Sequence, residues 1–286
     1  MEPVVNFFEH ISPLARTLIL AGGLVFFWML ESVVPLFKMN FLRYRHAGLN
    51  LVFTVTTILV NFLFAFFIVK VSDWAVANNF GILYLVNLPL WLFILIGLMI
   101  LDLVSAYWIH YIQHKVKWMW KFHLVHHTDT WVDTTTANRH HPGESVFRAT
   151  FTLLAVFISG APVWLMLLYQ TLSAALSQFN HANISLPKKV DAVLSWFIVS
   201  PNMHKVHHHY TQPLTDTNYG NIFSIWDRLF GTFVHVKDMN ELKYGIDTHM
   251  SEEENNNVSN LLQIPFQEYR APIGSKFGEA NPQAEK

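Results

Sequence analysis

The 286-residue chain contains no cysteine. That excludes disulfides, thiolate metal sites and iron–sulfur clusters. Charge is scarce as well. Only 14% of the residues are Asp, Glu, Lys or Arg, against about 25% in an ordinary soluble domain. The formal net charge is -1, so the balance offers nothing to attract a nucleic acid. The first thirteen residues have neither the positive start nor the small-residue cleavage site of a secretory leader. A retained first helix is therefore expected. No internal repeat marks a second domain. One domain over 1–286 is expected: mainly transmembrane over 14–101, histidine-bearing over 102–250, and a polar, flexible tail over 251–286 with weak docking near 261–266.

What is plentiful is apolar. Hydrophobic residues make up 52% of the chain, with 24 Phe and 10 Trp. This is the composition of a membrane protein. Residues 14–36 form an apolar run interrupted by Arg16 and Glu31, and residues 49–69 and 81–101 carry no charge at all. Each run is long enough for a hydrocarbon core of about 30 Å, which takes roughly 20 helical residues. Pro89 is expected to kink the third helix. The loop at 38–48 carries Lys38, Arg43 and Arg45 without an acid, and Lys115, Lys117 and Lys121 follow the third span. Basic short loops face the cytoplasm, which puts the N-terminus outside and the histidines inside. Residues 149–187 again lack charge. As one helix they would be about 58 Å long, too much for one crossing. Ser159, Gly160, Ala161 and Pro162 break the run, so a helical hairpin that enters the bilayer and returns is expected.

Of 16 histidines, 13 lie between His110 and His235. His110 and His114 are spaced i, i+4. His123, His126 and His127 follow as H-x-x-H-H, and His204, His207 and His208 repeat that spacing. On helices these spacings put the rings on shared faces, and neutral imidazole is the commonest metal ligand. Zinc takes about four protein ligands. So many imidazoles point to two metals sharing the set rather than to one zinc. If both groups serve one site, the segment between them must cross the membrane an even number of times, which a hairpin satisfies. His181 stands at the mouth of that hairpin, where a further ligand can be supplied. Asp102, two turns before His110, is expected either to hydrogen-bond a ligating imidazole or to be a simple interfacial residue. Residues 216–220 and 226–232 are expected to wall the site. Trp164, Met166, Tyr169 and Phe179 are candidate walls for a lipid channel, with hairpin packing as the plainer alternative.

Four pieces of the chain resemble the fatty acid hydroxylase/sterol desaturase superfamily. They are Asp102 through Tyr107, Trp108, His110 and His114; Trp120 through His123, His126 and His127; Asn138, Arg139, His140, His141, Pro142 and Glu144; and Ser200 through His204, His207 and His208, running on to Asp216, Asn218, Tyr219, Gly220 and Thr232. One position departs: Tyr111 stands where the family usually has Arg, and the nearest basic residue is Lys115. The expected fold is an all-α integral membrane protein with three transmembrane helices, a membrane hairpin and a cytoplasmic helical cap holding a dimetal site. The resemblance implies His110, His114, His123, His126, His127, His181, His204, His207 and His208 as metal ligands. His141, Asp102, Asn180, Asp216 and Asn218 are expected as outer ligands or hydrogen-bond partners. His140 and His209 are expected as neighbours, and His10, His46 and His249 as solvent-facing. The implied cofactors are two iron ions, replaceable by zinc on isolation, with dioxygen as cosubstrate. The implied partners are a bilayer lipid and an electron-donating redox protein or reductase. A membrane zinc hydrolase lacks its H-E-x-x-H motif here, and a metal transporter would want ionisable groups near the bilayer midplane.

Overall fold

The computed structural model describes residues 1–38 and 43–278. Part of the expected basic loop and the last eight residues of the expected tail, 279–286, lie outside the described residues. Helix α1 covers Glu2–Glu9. Helix α2, Pro13–Val33, starts where the Ser12 side chain accepts from the Ala15 amide, satisfying one orphan donor of the first turn. Helix α3 is Arg43–Ala77, and α4 runs over Leu90–Lys115. These last three are long and apolar enough to cross a membrane. Among the described residues the regular structure is helical, with isolated bridges and no strand.

Two boundaries differ from expectation. Nothing between Arg43 and Ala77 breaks a helix, since no proline occurs there and Gly48 lies in open space. Arg43, Arg45 and His46 therefore belong to α3 rather than to a loop. Pro89 does not kink the third span. It is the residue that caps α4, because proline bars the residue before it from helical geometry. Residues 82–84 form a separate short turn. Beyond Asp102, α4 continues through a π-helical stretch, Leu103–Trp108, into Ile109–Lys115. Such widened turns are frequent at functional sites. This one sets the rotation at which His110 and His114 leave the helix.

Helix α5 is Lys117–His127, α6 is Pro142–Ser159 and α7 is Val163–His181. The break between α6 and α7 falls at Gly160, which adopts φ 74°, a conformation that costs glycine nothing. A Cβ there would stand 2.0 Å from the Phe80 carbonyl oxygen, so the turn also needs glycine for space. The arms pack on other helices. α6 lies along α3 and the π-helical part of α4, while α7 lies on α2, α4 and the short turn Thr134–Asn138. Glu144 at the start of α6 and His181 at the end of α7 both reach the α5 histidines. The two arms thus leave and return to the same side of the molecule.

Short helices close that side: α8 (Lys188–Leu194), α9 (Pro201–His207), α10 (Ile225–Leu229), α11 (Glu252–Asn255) and α12 (Val258–Gln263). The expected tail is helical over much of 251–266, and it docks at the expected place, near 261–266. Leu261 on α12 and Ile264 in the short turn that follows it are buried in one cluster with Trp120 and Leu124 of α5.

Candidate metal centre

The H-x-x-H-H spacing has a geometric consequence. On α5, His123 and His127 are i, i+4 and turn to one side, leaving His126 to face elsewhere. On α9 and its cap, His204 and His208 form the i, i+4 pair and His207 faces elsewhere. The structure sets the two motifs together in opposite senses. His110, His114, His123, His127 and His207 form one group, and His126, His181, His204 and His208 form a second. Within each group the ligand-capable atoms lie within 4.8 Å of one another, and all nine residues are buried. Each H-x-x-H-H helix thus gives two imidazoles to one group and one to the other.

Several imidazole nitrogens meet at close range. The Nε2–Nε2 distances are 3.0 Å for His110–His123, 3.2 Å for His123–His127, 3.2 Å for His126–His181 and 3.1 Å for His181–His204. Nitrogens bound to one ion at about 2.0–2.1 Å lie about 2.9–3.4 Å apart. An N–H···N bond also suits these spacings. It leaves Nε2 of His114 and His207, and both nitrogens of His208, buried without any partner. Each orphaned buried polar atom costs about 1–3 kcal/mol, so the donor set fits an imidazole-bound transition metal in each group.

The opposite ring edge is fixed in five of the nine. Nδ1 of His110 donates to the Tyr219 carbonyl at 2.8 Å, that of His207 to Thr217 at 2.7 Å and that of His181 to Ser177 at 2.8 Å. Nδ1 of His123 meets Glu144 at 2.8 Å and that of His114 meets Asp216 at 3.1 Å. Such bonds select the tautomer that leaves Nε2 free and raise the ligand's basicity. Burial, and then the neighbouring imidazoles, hold His126, His127, His204 and His208 well below the ordinary imidazole pKa. Burial pushes His123 to about 3 despite the Glu144 carboxylate beside it. These rings are neutral at pH 7, which is the ligating form.

Other expected residues are placed differently. Asp102 binds no imidazole; its carboxylate accepts from the Ile222 and Phe223 amides and the Trp226 indole. His141 lies outside both histidine groups. Pro142 occupies the first turn of α6, so His141 becomes the N-cap, with Nδ1 accepting from Gly143 and Nε2 facing the Leu262 carbonyl. Its neighbour His140 is the one near the centre, stacked on His126 and 3.0 Å from Glu144. Asn180 donates to Asn221, and Asn218 donates to the Met203 and Val234 carbonyls. Both brace loops. Of the outer partners, Asp216 does hold an imidazole, and Lys115 secures it at 2.7 Å. His10 is exposed, and the His209 ring bonds only Thr211. His46 and His249 are buried, not solvent-facing. His46 lies 2.8 Å from Asp129, to which the α3 start at Arg43 delivers it.

The 226–232 segment supports the centre from behind. Asp227 accepts from the Tyr219 and Gly220 amides. Met166 and Tyr169 sit in the apolar core, with the Ser105 hydroxyl donating to Tyr169, and Phe179 packs on Phe27. Trp164 lines a cavity of about 360 Å³ with Phe8, Ser72 and Leu167. It stands seventeen residues before His181, about 25 Å along α7. None of the four is placed beside the imidazoles by these contacts.

Two buried groups escaped the site reading. Glu144 is fully buried and bonded to His123 and Arg148; the closing Glu of its motif was the available signal. Arg139 is buried under α5, bonded to the Val125 carbonyl, Asn50, Thr128 and the Asn255 carbonyl.

The fatty acid hydroxylase family profile matches residues 94–232, the stretch that supplies all nine histidines. The chain is 29% identical over 143 residues to the ornithine lipid hydroxylase OlsE of Rhizobium tropici, covering 49% of this chain and 41% of that protein. It is 33% identical over 143 residues to an alkylglycerol monooxygenase of Xenopus tropicalis, covering 50% and 30%. A cholesterol 25-hydroxylase-like protein of Caenorhabditis elegans is 30% identical over 144 residues, covering 49% and 46%. The matched stretch spans less than half the length of these relatives. No solved structure matches the chain.

Proposed function

Because the chain belongs to the fatty acid hydroxylase superfamily, we propose that it is a membrane-bound, dioxygen-dependent di-iron hydroxylase or desaturase. Its target would be an unactivated C–H bond of a lipid. The observation that carries this reading is the sorting of nine buried histidines into two adjacent groups. Iron bound in both groups would supply the activation of dioxygen that such a bond requires. The metal ligands are His110, His114, His123, His127 and His207 in one group and His126, His181, His204 and His208 in the other.

The chain's own residues do the remaining work. Glu144, Asp216 and the carbonyls of Thr217, Tyr219 and Ser177 orient the rings. The rings are buried, so bulk water is kept from them. The substrate is a bilayer lipid of the ornithine-lipid, alkylglycerol, sterol, fatty acyl or sphingoid class, reached from the membrane. An external redox protein or reductase supplies electrons, and the centre faces the cytoplasm.

The test is dioxygen uptake by the purified, iron-loaded enzyme with an electron donor, across those lipid classes and their water-soluble analogues. Uptake that depends on one lipid class, with oxygen insertion or desaturation in the product, supports the reading. Equal turnover of a soluble analogue contradicts access from the membrane.

A further inference from the structure

Six large apolar side chains stand exposed on one face beside the histidines. α8 presents Val190 and Val193 and is followed by Trp196 and Phe197, while α10 presents Ile225 and Leu229. Phe197 is 70% exposed and Leu229 66%. The two segments are joined. The Ser224 amide donates to the Phe197 carbonyl, Ile198 bridges Phe223, and Arg228 lies 4.0 Å over the Trp196 ring while donating to the Ser195 carbonyl. The charge on this face has one sign. Lys188 and Lys189 are exposed and Arg228 partly so, whereas Asp191 and Asp227 are buried. Single exposed apolar residues are ordinary, but a contiguous apolar patch with a polar rim marks an interface.

Helix α4 indicates which interface. Phe230, next to Leu229, packs 4.9 Å from the Trp108 ring. Trp108 lies eighteen residues beyond Leu90, about 27 Å along the helix, close to the hydrocarbon thickness of about 30 Å. Trp91 is exposed near the other end. Tryptophans at both ends of a span mark the headgroup levels, and the patch begins at the level of Trp108. We propose that the face formed by α8, residues 195–197 and α10 lies in the headgroup layer of the bilayer, with Lys188, Lys189 and Arg228 on anionic headgroups. This rests on α4 spanning the membrane and not on the chemistry of the histidines. It holds the cap against the lipid surface, within one helical turn of His110.

The absence of cysteine makes a clean test available. Single-cysteine variants Phe197→Cys, Leu229→Cys, Leu95→Cys and Glu253→Cys of the full chain are spin-labelled in nanodiscs. Collision with dissolved oxygen is compared with collision with a water-soluble nickel chelate. Labels at 197 and 229 should favour oxygen, as at 95 on α4, while the label at 253 favours the chelate. Lipid-like behaviour at 95 with water-like behaviour at 197 and 229 overturns the proposal and leaves the span standing. Water-like behaviour at 95 overturns both. Should a label unfold the chain, seen as lost helical circular dichroism, Val193→Cys replaces it. Exchanging phosphatidylcholine for phosphatidylglycerol should deepen the labels at 197 and 229. Lys188→Gln with Lys189→Gln should weaken that response, and no response in the parent chain contradicts the role given to the cations.

Discussion

Glu144 supports the first histidine group without being in it. Its carboxylate takes the His123 Nδ1 and is itself tied to Arg148. Burial would raise its pKa, but His140, His123 and Arg148 outweigh burial and hold it well below the ordinary carboxylate range. Glu144→Ala should lower metal affinity about 10–100-fold, read by competition with a chromophoric chelator; unchanged affinity would remove it from the centre. The imidazoles themselves carry a pH signature. Unfolded, they take up protons near pH 6.5, whereas the folded rings named above resist doing so. The metal-free fold therefore binds fewer protons than the unfolded chain, and the associated stability is present above about pH 6.5 and lost as pH falls below it. Thermal melts of metal-free protein should shift down on acidification, and a flat profile contradicts the burial of neutral rings. His10→Ala should be neutral, while His46→Ala should destabilise by removing the imidazole from buried Asp129, which keeps the Trp131 amide, Asn50 and Thr136. That last contrast was not legible in the sequence, because Asp129 is 83 positions away.

At the scale of elements, the break at Gly160 was readable from a charge-free run too long for one crossing. Its partner contact at Phe80 was not, since it depends on how α3 ends. Gly160→Val combines a strained φ with a clash on backbone. We expect it to cost about 1–3 kcal/mol or more, measured as a lower unfolding temperature in detergent; no loss would mean the turn is free to move. The start of α3 was misread because basic residues suggested a loop, although nothing there stops a helix. The hairpin makes a sharper demand. Reporter fusions at Lys121 and Asp191 should read the same side of the membrane and one at Asn78 the other. Opposite readings at Lys121 and Asp191 would separate His127 from His204 and rule out a shared centre.

At the scale of the whole molecule, three helices are long and apolar enough to cross a membrane, and nine buried imidazoles gather in two groups. Eight members of that set were legible in the sequence, because H-x-x-H-H and H-x-x-x-H are helical spacings, whereas His181 was placed only by its position at the hairpin mouth. The division of the set into two groups was not legible, because it arises from α5 and α9 meeting in opposite senses. The two-ion stoichiometry is therefore the claim that stands or falls with the fold. The most direct measurement is elemental analysis of the gently solubilised chain after anaerobic loading with iron and removal of loosely bound metal. Two ions per chain is the expected result. One ion per chain, or none with activity retained, would contradict it.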